Sequence, residues 1–283
     1  MIMKKKTVIM LSGTGSNAEA LLEYSLRPDC GFEVSALFTD RPDRCRAIEI
    51  GKKFNKEVLQ LDIFEYYRNH GEKGIGLINE RRSQLRDRWT CEVEKVIDNA
   101  GYRPDFLMLA GFEPLSNITR DFVTLNVHPG DLTVERNGKR FLNGLALKPI
   151  ELAILEEFPH LKSSVIIAQA YTGKDEDVDS GPILGISKPM NIDFMGHTPD
   201  ELRAADAARP AKRPKGYTDI LHEVAEHNQN LLKKCGDHVI FPQAADDFAK
   251  GLFDIRNGRI FYCGSAVKTV EYSPDSKIPV AED

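Results

Sequence analysis

The tetrad Asn126-Val127-His128-Pro129 sets a carboxamide and an imidazole two residues apart. On a strand that spacing projects both side chains to one face. A neutral imidazole beside a carboxamide can take a proton from an amine while the amide supports an oxyanion. Asp179-Ser180-Gly181-Pro182 places a carboxylate in a turn before a strand-like run. There it can hold a histidine charged or relay its proton. The third constellation is Ser12-Gly13-Thr14-Gly15-Ser16-Asn17, between a strand-like and a helix-like run. Such a junction aims backbone N–H groups and a helix's positive end at one spot, which suits phosphate. It is not a dinucleotide fingerprint, because Ala18 stands where a third glycine belongs, and no Gly-Lys-Ser/Thr follows to make a Walker loop. Taken singly, each piece also has a plainer reading: a tight βα turn, a hydrogen-bonded core histidine, an ordinary turn.

The elements needed to position these groups are legible in the apolar pattern. Thr7 to Leu11, Phe32 to Phe38, Val58 to Leu61, Asp105 to Leu109 and Thr124 to His128 read as strands. Helical spacing runs over Asn17–Tyr24 and Arg46–Phe54, and over Ser83–Ala100 with Leu85, Trp89, Val93, Val96 and Ile97 on one face. Alternating strands and helices predict an α/β fold: an open, mostly parallel twisted sheet with helices on both faces. Further on, an Asn137-Gly138 hairpin is expected over residues 134–141 and a helix over 145–158. Strands are expected at 164–170 and 183–187 around a polar loop, 173–181, and a loop over 196–217 with a short helix near 199–207. A longer helix is expected at 217–235 and a last strand at 259–262, with disorder after Ser273. Residues 1–195 are expected to form the catalytic core, and 196–283 a C-terminal loop, helix and tail packed on the same domain.

The chain has 283 residues, 41% hydrophobic and 29% charged, with net charge -5. That length can bury a sizeable core, and the balance offers no global basic field for nucleic acid or an anionic membrane. The run Lys212-Arg213-Pro214-Lys215 is a local exception, read as an exposed loop or an anion contact. The five cysteines are scattered without a C-x-x-C pair, which argues against a disulfide framework and a structural zinc site. The apolar run after Lys4-Lys5-Lys6 is too short for a signal-peptide core or a membrane span. A cytoplasmic protein working on small molecules, without a metal, is the expectation; a homodimer is left open.

Four stretches in order, VIMLSGTGSNAEALL, PDFLMLAGFEPLS, LNVHPGDL and DVDSGPIL, resemble the formyltetrahydrofolate-dependent formyltransferases. The branch they resemble most is phosphoribosylglycinamide formyltransferase of purine biosynthesis. The resemblance spans roughly residues 7–190 and, more weakly, the helix with Glu226-His227. It implies that fold, 10-formyltetrahydrofolate as co-substrate, and formyl transfer to the amine of a phosphate-bearing acceptor such as glycinamide ribonucleotide. It also implies Asn126, His128 and Asp179 as the catalytic trio, with Asn126 and protonated His128 stabilising the oxyanion and Asp179 keeping His128 charged. Gly15, Ser16 and Asn17 would hold the phosphate. Arg86, three residues before Trp89, would be its arginine, with Arg82 and Arg88 as substitutes. Glu226 would meet the nucleotide, and the segment 108–115, with Met108, Phe112 and Leu115, would line the folate pocket.

Some segments depart from the family pattern. Pro129-Gly130-Asp131-Leu132-Thr133 replaces Pro-Ser-Leu-Leu-Pro, Ala110-Gly111-Phe112-Glu113-Pro114 replaces Ala-Gly-Phe-Met-Arg, and Ile166 stands where a histidine is frequent. Insertions are expected near 70–82, 133–142, 172–177 and 196–216. Rival readings are a formyltransferase for another amine such as a nucleotide-linked amino sugar, a formyltetrahydrofolate hydrolase, and a non-catalytic folate or nucleotide binder. The hydrolase reading expects an N-terminal regulatory domain, for which a glycine loop at residue 13 leaves no room. The binder is disfavoured by the intact trio.

Overall fold

The computed structural model describes residues 3–171, 179–210 and 217–282. Most of the polar loop at 173–181, the insertion at 172–177, the end of the one at 196–216 and the run 212–215 lie outside the described residues. In chain order the elements begin β1 (Lys5–Leu11), α1 (Ser16–Ser25), β2 (Phe32–Thr39), α2 (Ala47–Phe54) and β3 (Glu57–Gln60). Then come α3 (Ile63–Asn69), α4 (Glu80–Asn99), β4 (Phe106–Leu109) and β5 (Thr124–His128). A hairpin β6 (Glu135–Arg136) and β7 (Lys139–Arg140) precedes α5 (Lys148–Leu155), β8 (His160–Leu161) and β9 (Ser164–Ile167). Next are β10 (Ile183–Ser187), β11 (Met190–Asn191), α6 (Pro199–Ala207), α7 (Ile220–Leu232) and, through a π-helical turn Lys233–Asp237, α8 (His238–Ala249). The chain closes with β12 (Phe253–Arg256), β13 (Arg259–Tyr262), β14 (Ser265–Val267), β15 (Thr269–Ser273) and β16 (Ser276–Val280).

The main sheet has nine strands in the order β16-β15-β10-β9-β5-β4-β1-β2-β3. Strands β3, β2, β1, β4 and β5 are mutually parallel; β9 runs against β5 and β10, and β15 is parallel to β10. The mostly parallel α/β sheet expected from the sequence is the one observed. A central strand buried on both faces reads as a continuous apolar run, as β1 does. Its Ile9 and Leu11 join the core under α1, α2 and α8, while Val8 and Met10 join the core under α3 and α4. Leu85, Trp89, Val93 and Ile97 recur every fourth residue of α4 and are all buried there. A third core gathers Leu142, Ile150, Leu202, Leu221 and Val224 from α5, α6, α7 and the segment before α5.

The carboxyl ends of β1, β4 and β5 lie side by side, because β4 pairs with both neighbours and the chain crosses over after β3. Such a switch point opens a crevice where successive loops diverge. The helix expected over 145–158 is shorter, because Ala146 has φ 56° and Glu157 φ 53°, both left-handed and non-helical. The expected disorder after Ser273 is corrected: β16 pairs antiparallel with β15, with Pro279 opposite Val270. Proline is tolerated there because β16 is an edge strand and its missing N–H faces away from the ladder. Strand 259–262 forms, but in a separate three-stranded sheet. No described helix is long and apolar enough to cross a membrane.

Candidate active site

The crevice holds a cavity of about 520 Å3, within the range of small-molecule sites. Its first wall is Gly13 to Asn17. Gly15 has φ 72°, and a Cβ there would stand 2.3 Å from Ile50 Cδ1, so both the turn and its packing on α2 call for glycine. No side chain caps α1, which leaves its first N–H groups at the cavity. Behind this wall Ser12 Oγ donates to buried Asp40 (2.5 Å) and accepts from the Glu113 amide (2.9 Å). Burial pushes the Asp40 carboxyl up, against the Ser12 bond and the nearby Arg41. This relay ties the loop after β1 to the loop after β4.

The opposite wall is the end of β5. Asn126 and His128 share a face as the two-residue spacing requires, and both line the cavity. The Asn126 carboxamide has no side-chain partner among the described residues. His128 is 3% exposed, with Nδ1 3.2 Å from Asp179 Oδ2 and Nε2 2.8 Å from the Leu142 carbonyl. Both ring nitrogens thus face oxygen acceptors, and only a doubly protonated ring donates to both. Ser164, opposite His128 in β9, donates to the Gly130 carbonyl (2.7 Å) and accepts from the Leu132 amide (3.1 Å), fixing the turn that follows.

Asp179 reaches the site from a turn whose glycine is dictated by space. A Cβ on Gly181 would lie 1.7 Å from the Ile167 carbonyl of β9. Asp179 itself has φ 57°, a conformation uncommon outside glycine. Arg140 donates to the carbonyls of Asp179 and Gly181, bracing that turn. Burial pushes the Arg140 guanidinium below its usual range, opposed by the Asp179 charge.

The sequence-derived site residues divide cleanly. Asn126 and His128 meet Asp179, about 50 residues further along the chain, at one cavity with Gly15, Ser16, Asn17 and Phe112. Asn17 Nδ2 is bound to Asp237 Oδ2 (3.1 Å), so its N–H groups are partly committed. Leu115 lines an adjoining cavity that shares Gly144 and Leu145 with the first. Met108 is instead a core residue packed among Ile9 and Phe106, away from either cavity. Arg86 does not reach the cavity. It is 5% exposed, and its guanidinium donates to Tyr67 Oη, the Leu115 carbonyl and the Ile75 carbonyl. Neither of its substitutes lines the cavity: Arg82 pairs with Glu72 at 2.8 Å, and Arg88 is exposed. Glu226 is exposed on α7 and outside the lining, because the next turns of that helix face inward.

Those turns carry three residues that sequence reasoning missed: Gln229, Lys233 and Asp237. Lys233 is the only lysine or arginine lining this cavity among the described residues, and its ammonium has no ion pair there. Asp237 is buried and accepts from Asn17 and from Ser163 Oγ (2.5 Å). Gly236 permits this, since a Cβ would come within 2.5 Å of Ser163 Oγ. The signal was the i, i+4, i+8 spacing of the three on one helical face.

No family model and no curated protein matches the chain. Solved structures match it by fold. A phosphoribosylglycinamide formyltransferase from Coxiella burnetii superposes with TM-score 0.61 at 18% identity, over 93% of this chain and 96% of that one. Glycinamide ribonucleotide transformylase 1 from Symbiobacterium toebii gives 0.59 at 19%, over 92% and 94%. A formyltetrahydrofolate deformylase from Pseudomonas putida KT2440 gives 0.51 at 14%, over 93% of this chain and 71% of its own.

Proposed function

We propose that this chain is a formyltransferase that moves the formyl group of 10-formyltetrahydrofolate to the amine of a phosphate-bearing acceptor, with glycinamide ribonucleotide the first acceptor to test. The observation that carries the reading is one cavity holding Asn126 and the His128–Asp179 pair on one wall, and α1 N–H groups with Lys233 on the other. The fold shared with the two transformylases supports it.

In the reaction the acceptor amine adds to the formyl carbon, and the carbonyl oxygen takes the negative charge. Asn126 donates to that oxygen, and the positive ring of His128 lies beside it. The bond from the formyl carbon to the folate N10 then breaks. Asp179 takes the proton lost by the amine and delivers it to N10, while His128 keeps its ring protons, so the products are a formamide and tetrahydrofolate. The acceptor phosphate lies against the α1 N-terminus and Lys233, where dipole and ammonium both favour an anion. Phe112, stacked on Trp89 at 6.3 Å, offers an apolar edge to the folate ring.

Hydrolysis is the second reading, favoured by the likeness to the deformylase. Water would replace the amine and formate would leave. Purified protein is mixed with 10-formyltetrahydrofolate, alone and with a panel of amines, each offered with and without its phosphate. Turnover only with a phosphorylated amine supports transfer. Equal turnover without any amine means hydrolysis, and none under any condition removes both readings.

A further inference from the structure

Residues 133–142, expected from the sequence to be an insertion, form a hairpin on the left-handed pair Asn137 (φ 54°) and Gly138 (φ 70°). Both partners of the catalytic pair are touched from its second strand and the residues just beyond. The Leu142 carbonyl accepts from His128 Nε2 at 2.8 Å, and the Arg140 fork binds the carbonyls of Asp179 and Gly181, the latter at 2.7 Å. The Gly144 amide adds a long contact to Asp179 Oδ2, at 3.4 Å. Gly130 makes the approach feasible, because a Cβ there would lie 2.4 Å from the Leu142 carbonyl and 2.8 Å from His128 Nε2. The hairpin's root is anchored: Leu142 is buried with Ile150 and Leu221, and Phe141 stacks on Phe158 at 6.0 Å.

We propose that the hairpin is a positioning brace for the His128–Asp179 pair, with Arg140 fixing the left-handed backbone of Asp179 and the Leu142 carbonyl fixing the His128 ring through Nε2–H. A backbone carbonyl on one ring nitrogen sets which nitrogens carry protons and how the ring is turned. The planar fork of Arg140 holds two carbonyls, those of Asp179 and Gly181, that a lysine cannot span together. Arg140 and Leu142 therefore act through the pair, and the inference rests on the proposed role of that pair in catalysis.

The test separates the brace from the reaction. In ligand-free, full-length protein the His128 ring N–H protons are followed by 1H–15N NMR, assigned by their loss in His128→Gln. The brace predicts an Nε2–H signal protected from solvent exchange in the unaltered chain. It predicts that Gly130→Ala, whose Cβ displaces the Leu142 carbonyl, abolishes the protection, and that Arg140→Lys weakens the Nδ1–H signal. In formyl transfer both variants should lose roughly 10- to 100-fold in kcat with the donor KM nearly unchanged, as misplacement of a catalytic group costs. Unprotected ring protons in the unaltered chain, or protection surviving in both variants, would overturn the brace whatever the activity. Lost protection with unchanged kcat would also overturn it while leaving the transferase reading standing. A chain without formyl transfer that still shows the protected signal would fault that reading instead.

Discussion

Along the first wall of the cavity, Gly13 to Asn17 and Lys233 present N–H groups and an ammonium that engage few other protein groups. Along the second, His128 and Asp179 are spent on each other, on the Leu142 carbonyl and on the hairpin. The first wall attracts charge, and its geometry is set by one glycine turn and one helix end. The second is arranged in advance, and its geometry is set by segments from four places in the chain. On the proposed reading, binding and chemistry carry different structural demands: unspent donors for one, and a braced His128–Asp179 pair beside the unspent Asn126 carboxamide for the other.

Substitutions should separate the walls by the constant they change. The largest effect is expected at the second wall, where Asp179→Asn or His128→Ala should lower kcat by about 100- to 10,000-fold. A thermal unfolding transition close to that of the unaltered chain would locate the loss in chemistry. At the first wall Lys233→Met should raise the KM of the phosphorylated acceptor by about 10- to 100-fold, the worth of a charge-assisted contact, with kcat held. The same variant should be indifferent to an acceptor lacking phosphate. Gly15→Ala should destabilise the fold by about 1–3 kcal/mol, since the added Cβ meets Ile50 in a left-handed backbone. Denaturant titration reads that cost directly.

The smallest effect lies away from both walls, at the Glu94–Asp121 carboxylates. Burial and the neighbouring Asp121 push Glu94 up to about 7. The folded chain therefore keeps a proton that the unfolded chain releases near pH 4.3, the ordinary glutamate value. Stability from this group is full below about pH 4.3 and falls as pH rises towards 7. Glu94→Gln should show a gain over the unaltered chain that grows across that window, while activity stays level.

What the sequence revealed followed the range of the interaction. The parallel half of the sheet was legible because β1, β2 and β4 are short apolar runs buried on both faces. The turn at Asn137-Gly138 was legible because its residues alone determine it. The shared face of Asn126 and His128 followed from a two-residue spacing, whereas their meeting with Asp179 at one cavity was implied only by the resemblance. Arg86 misled because an arginine in a helix looks equally fit for phosphate or for three buried acceptors, and only tertiary packing decides. Glu226 misled by one helical turn: Gln229 and Lys233 face the cavity. Helix α8 was hidden by Gly236 and Pro242, residues that normally end helices, and here the π-helical turn carries the chain past the first of them. The edge strand β16 was hidden by its proline and lysine, which suit an edge and disguise it.

The most direct measurement follows the formyl carbon itself. With 13C in the formyl group of the donor and glycinamide ribonucleotide as acceptor, the label should appear as an acceptor formamide in the unaltered chain. Transfer should be almost abolished in His128→Ala and retained at saturating acceptor in Lys233→Met. Label appearing as free formate at the same rate with and without acceptor would contradict the account.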